Sequence, residues 1–103
     1  MDNRVFPRLP VNLQVSFRDD RDLRESMVES VSGGGVFIRT SRPLPIGTEL
    51  TMEIHLEDGA TQPIRVRGQV VWERLTGRTD GMGVKFLEDP PDRLKKLLTR
   101  GRP

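Results

Sequence analysis

Ile64, Val66, Gly68, Val70 and Trp72 alternate without a break with Arg65, Arg67, Gln69, Val71 and Glu73. Successive side chains of an extended chain point to opposite faces, so this pattern predicts a strand with one face on a core and one in water. The same period returns at Val11, Leu13, Val15 and Phe17, at Leu50, Met52, Ile54 and Leu56, and at Met82, Val84 and Phe86. Shorter apolar runs at 27–31 and 36–40 supply two more strands. Six short strands leave two exposed edges unless the sheet curls, so the chain is expected to close into an all-β, six-stranded antiparallel barrel. Gly68, in the middle of the fifth strand, predicts a bulge or bend. Arg65 and Arg67 share its polar face and are placed for cross-strand pairing with Glu53.

The remaining segments punctuate these strands. Residues 18–25 are dense in charge and read as a solvated hairpin turn, and Asp58-Gly59 is a turn signal between strands four and five. Asp89-Pro90-Pro91 reads as the entrance to a short C-terminal α-helix, with Asp89 at the cap and Pro90 in the first turn. Leu94, Leu97 and Leu98 fall on one face of that helix and are expected to close one barrel end. The 103 residues are thus one domain, with an N-terminal arm at 1–10, the barrel at 11–87 and the helix at 89–100.

Composition narrows the chemistry. The chain has no Cys, so it carries no disulfide, thiolate metal site or thiol nucleophile. Its one His, His55, falls on the polar face of the fourth strand, and no nucleophile is paired with a base, so an enzyme is not expected. The acids of Arg18-Asp19-Asp20-Arg21-Asp22 are interleaved with arginines and lack an oxygen-ligand loop pattern, so no metal or other cofactor is expected. The formal charge is +2, from 17 Lys and Arg against 15 Asp and Glu, with basic residues gathered at both ends. That distribution suits local anion contacts rather than a nucleic-acid footprint. Tyr is absent, and Phe17, Phe37 and Phe86 are assigned mostly to inward positions, so a stacking groove for DNA or RNA is not expected. No apolar run approaches the ~18–20 residues of a membrane span, and no signal-peptide core follows the start, so a cytoplasmic protein without membrane insertion is expected.

Two features are left over from the fold. The first is Ser30-Val31-Ser32-Gly33-Gly34-Gly35-Val36-Phe37-Ile38, in which three glycines in a row join a polar turn to an apolar strand. Each glycine costs ~0.5–1 kcal/mol in a regular element, so the turn is expected to need positive φ or a close backbone approach. Its amides and the hydroxyls of Ser30 and Ser32 form either a donor surface for an anion or a plain hairpin loop. The second is Arg4 and Arg8, spaced as RxxxR in an arm held out of helix by Pro7 and Pro10. Two guanidinium forks at one site can hold phosphates, grip a guanine edge or stack on a purine face; otherwise they are two solvated arginines. Trp72 is expected to pack at the edge of the core, with base stacking as its alternative role.

Taken together, Arg4-Val5-Phe6-Pro7-Arg8, the Ser30–Ile38 stretch, Gly68-Gln69-Val70-Val71-Trp72 and Gly81-Met82-Gly83-Val84-Lys85-Phe86 resemble the PilZ family of cyclic di-GMP receptors over almost the whole chain. The resemblance implies a six-stranded antiparallel PilZ-type β-barrel with a C-terminal helix. It implies that Arg4 and Arg8 grip phosphates and guanine faces, that Ser32 hydrogen-bonds the ligand and that Gly35 lets the backbone approach it, with Ser30, Gly33 and Gly34 completing the site. The family motif carries Asp or Asn where this chain has Ser30. Loss of a charge-assisted hydrogen bond costs ~1.5–3 kcal/mol, or roughly one to two decades of affinity. The implied function is a module that binds cyclic di-GMP and relays it to a protein partner in motility, pilus or exopolysaccharide control, as a monomer or weak dimer. The alternative is a PilZ-like adaptor that binds no nucleotide and acts through protein contacts.

Overall fold

The structure is a computed structural model and describes residues 8–19, 22–57, 62–77 and 79–100. Arg4, with the rest of residues 1–7, and the Asp58-Gly59 turn lie outside the described residues. The alternating runs become β1 (Leu9–Arg18), β2 (Leu23–Val31), β3 (Gly35–Arg39), β4 (Glu49–His55), β5 (Ile64–Arg74) and β6 (Gly81–Phe86), followed by α1 (Asp92–Arg100). The strands form a closed barrel in the order β1-β2-β3-β6-β5-β4. Every neighbouring pair is antiparallel, and β4 returns to β1 through pairs such as Phe17↔Met52, so no edge of the sheet is left open.

The inward parity of each strand supplies the core: Leu13, Val15 and Phe17 of β1, Met52 and Ile54 of β4, Val66 and Val70 of β5, and Met82 and Val84 of β6. Leu94 of α1 is fully buried in the same cluster, and Leu97 and Leu98 pack against it, so the helix closes the barrel end where β6 finishes. On the outer face, Arg65 bonds Glu53 at 2.8 Å as expected, and Arg67 reaches Glu49 at 3.3 Å.

Three boundaries differ from the sequence reading, each for a physical reason. β1 begins at Leu9, two residues inside the segment read as an arm, because Leu9 packs against the core and pairs with Val31. β2 begins at Leu23, within the segment read as a solvated turn. Its Arg24 is paired with Phe17 and so takes an inward position at the barrel mouth, where charge disguises the strand. The guanidinium lies 5.1 Å from the Phe17 ring centroid and donates to Thr40 Oγ1 (2.6 Å) and to the Arg42 carbonyl (2.9 Å), with Asp19 at 3.5 Å. A partly buried cation is tolerated when its donors are matched in this way. The helix starts at Asp92 rather than at Asp89–Pro90, with the Pro91 carbonyl accepting from Leu94 N and Lys95 N. Asp89 and Pro90 each precede a proline, whose ring disfavours helical backbone at the residue before it.

The bulge of β5 is also displaced. Register is regular through Gly68, opposite Leu50 and Phe86, and slips instead between Val70 and Trp72. Gly68 is a packing choice: a Cβ there would come within 2.5 Å of Val84 Cγ1 and 2.9 Å of Met52 Cε.

Candidate functional site

Two bulges expose the site. Val28 and Val31 of β2 are both buried although three residues apart, because Glu29 is an extra residue that slips the pairing with β3 between Val28 and Ser30. The slip turns Ser30 outward. In β5 the slip at Val71 does the same for Trp72: Val70 pairs with Val84, and Trp72 with Gly83. The ladder then runs Pro10↔Ser30, Ser30↔Phe37, Phe37↔Gly83 and Gly83↔Trp72, so five strands contribute one lateral row on the outer face.

Side-chain size along that row shapes the surface. Gly83 and Gly81 leave room on β6, where a Cβ at Gly83 would run into Trp72 Nε1 and a Cβ at Gly81 into the Ile38 carbonyl oxygen and the Phe37 ring. The indole therefore lies flat across β6 and stacks on Phe37, with ring centroids 5.0 Å apart and planes inclined at 29°. Phe37 is consequently only 2% exposed although it faces outward, while Trp72 is 36% exposed. These positions correct the sequence reading, which placed Phe37 inward and Trp72 at the edge of the interior core.

Arg8 sits one step before the Leu9↔Val31 pair and shares its face with Pro10, which makes it the diagonal neighbour of Ser30. Its Nη1 donates to Ser30 Oγ at 2.9 Å, and its guanidinium carbon lies 5.9 Å from the Trp72 ring centroid. Among the described residues its partners are thus a hydroxyl and an aromatic face. The site reads as a cation held beside an exposed flat ring.

The glycine turn adjoins this row. Ser32 N donates to the Gly35 carbonyl at 2.9 Å, Gly34 N to Ser32 Oγ at 3.2 Å, and Phe86 N to the Gly34 carbonyl at 2.9 Å. The Ser32 hydroxyl also contacts the Gly35 carbonyl at 3.4 Å, and Ser32 is only 9% exposed. The amides of Ser32 and Gly34 therefore serve the turn itself rather than an open anion nest. Among the described glycines only Gly47 and Gly77 have positive φ. The close approach is at Gly35, where a Cβ would run into the Val84 carbonyl oxygen of the neighbouring strand.

The structure thus brings Arg8 and Ser30 into contact and sets Ser32, Gly33, Gly34 and Gly35 at the end of the same hairpin. Phe37, Glu29 and Arg74 were missed by sequence reasoning. The signal for Phe37 was Gly81-Met82-Gly83, since small residues alternating on a strand's outer face clear space for rings. His55 lies exposed on β4. Among the described residues no group of three or more His, Cys, Asp or Glu is placed to hold a metal ion, and no helix is long and apolar enough to cross a membrane.

Fold and site together define a small closed antiparallel barrel that presents an arginine and an aromatic ring beside a glycine-rich hairpin. The PilZ domain family profile matches residues 2–101, and the chain belongs to the PilZ domain family. Comparison with curated proteins by sequence found no match. Among solved structures, the inhibitor of motility MotI/DgrA of Bacillus subtilis aligns with a TM-score of 0.79 at 18% identity, covering 98% of this chain and 50% of that one. PlzA of Borreliella burgdorferi in complex with c-di-GMP aligns at 0.70 and 13% identity, covering 97% and 41%. The PilZ domain of YcgR from Escherichia coli with c-di-GMP aligns at 0.67 and 16% identity, covering 96% and 88%. This chain therefore spans half or less of the first two neighbours, and at such identities the likeness is one of fold.

Proposed function

We propose that this chain is a regulatory module that binds cyclic di-GMP on the row formed by Arg8, Ser30, Phe37 and Trp72 and relays its occupancy to a protein partner. One observation carries the reading: the Arg8 guanidinium, bonded to the Ser30 hydroxyl, stands beside the partly exposed Trp72 indole, so a cation and a flat ring are offered on one surface. A cyclic dinucleotide offers what that surface lacks, namely phosphates for a guanidinium and flat purines for a ring. Arg4, four residues earlier, is proposed as the second fork, and Ser32 with Gly33, Gly34 and Gly35 as the hairpin against which the ligand lies. Two solved neighbours hold c-di-GMP and a third is described as an inhibitor of motility, which supports signalling to motility as the setting.

Isothermal titration of the purified domain with cyclic di-GMP tests the reading, with Arg8→Ala and Ser30→Asp alongside. The expected result is saturable binding by the wild type, loss in Arg8→Ala, and affinity roughly one to two decades tighter in Ser30→Asp, where a carboxylate orients the arginine. No heat with the wild type but recovery in Ser30→Asp would refute the receptor reading and identify an adaptor whose ligand site was lost at one position.

A further inference from the structure

Arg74 stands outside every motif considered so far. It lies two residues beyond Trp72 on the same outer face of β5, opposite Gly81, and three separate parts of the molecule converge on it. Its guanidinium carbon is 4.2 Å from the Phe37 ring centroid, the ring on which the Trp72 indole rests. Its Nη2 donates to both carboxylate oxygens of Glu29, at 3.1 and 3.2 Å. Its Nε donates to the Thr79 carbonyl at 2.7 Å. Glu29 is the bulge residue whose insertion turns Ser30 outward. Thr79 belongs to the β5–β6 turn, which Asp80 holds by accepting from Thr76 N and Gly77 N at 2.6 Å.

We propose that Arg74 is a positioning residue for the ligand site: it pins the Phe37 ring under Trp72 and the Glu29 bulge beside Ser30, and ties both to the β5–β6 turn. A single exposed ion pair would contribute little. Here the pair is two-thirds covered, with Arg74 31% and Glu29 37% exposed, and one planar guanidinium meets a ring, a carboxylate and a carbonyl at once. Lysine has the charge but neither the plane nor the Nε donor. The consequence is that the two groups offered to a ligand, the Ser30 hydroxyl and the Trp72 indole, share one support, reached through Glu29 on one side and Phe37 on the other.

The idea rests on the reading that Trp72 and Ser30 face the ligand, and its test separates the two. Trp72 is the one tryptophan of the chain, so its fluorescence reports this site alone. In the unliganded protein Arg74→Gln is expected to shift the emission to the red, and to raise quenching by acrylamide, with Arg74→Lys intermediate. Titration with cyclic di-GMP is expected to show about a tenfold loss of affinity in Arg74→Gln. Only the share that acts through Glu29 and Ser30 should remain when the same change is made in a Trp72→Leu background, so the two losses are expected to be less than additive. Unchanged emission, or losses that add in the double variant, would overturn the positioning role. If the wild type binds no cyclic di-GMP, the receptor reading fails, and emission and quenching decide the role of Arg74 by themselves.

Discussion

Replacing Gly83 with alanine adds one methyl group at the place where the Trp72 indole crosses β6. The three heavy atoms nearest to that Cβ all belong to the indole, so the conflict is with one side chain at the surface and not with backbone. The indole can escape only by lifting off Phe37, which forfeits an aromatic stack of ~0.5–1.5 kcal/mol and disturbs an Arg8 cation–π contact of ~0.5–1 kcal/mol. The total of about 1–2.5 kcal/mol agrees with the ~1–3 kcal/mol usual for overpacking. In a domain of this size ~1 kcal/mol moves the melting temperature by ~4–8 °C, so Gly83→Ala is expected to melt about 5–15 °C lower. Thermal denaturation and the emission maximum of the single tryptophan are the assays, and both should change together. An unaltered melt, or an equal loss when Trp72 has already been replaced by leucine, would show that the glycine does not exist to seat the indole.

Gly35→Ala should be more damaging, because its Cβ meets the Val84 carbonyl oxygen and the Lys85 Cα, which move only with the strand. A loss of about 3 kcal/mol is expected in a denaturant titration, and a change under about 1 kcal/mol would contradict the close approach. Leu94→Ala removes a fully buried side chain that α1 sets on the core, and chemical denaturation should show a loss of about 2–5 kcal/mol. Glu53→Ala breaks the exposed pair with Arg65 and should cost less than about 1 kcal/mol, with a difference that shrinks as salt is added.

Much of the architecture was legible because a barrel strand repeats every two residues. Val15, Phe17, Met52, Ile54, Val66, Val70, Met82 and Val84 all occupy the inward parity and are buried. Charge at an inward position hid the start of β2, since the neutralising environment of Arg24 comes from Thr40, Arg42 and Asp19 rather than from its neighbours in sequence. Arg8 and Ser30 were readable as polar residues of a motif, but their 2.9 Å contact depends on the β1–β2 register.

Sequence by itself determined the number of strands, the faces of their regular stretches, the glycine-rich hairpin and the family to which the chain belongs. The parity of a strand, however, holds only until a residue is inserted, and nothing local marks Glu29 or Val71 as the insertion. Each inserts one residue against its partner strand, Glu29 against β3 and Val71 against β6, and moves every side chain beyond it to the other face. Tertiary structure alone therefore decided that Ser30 and Trp72 face outward, that Phe37 is buried outside the barrel rather than within it, and that Arg74 joins the Phe37 ring to Glu29.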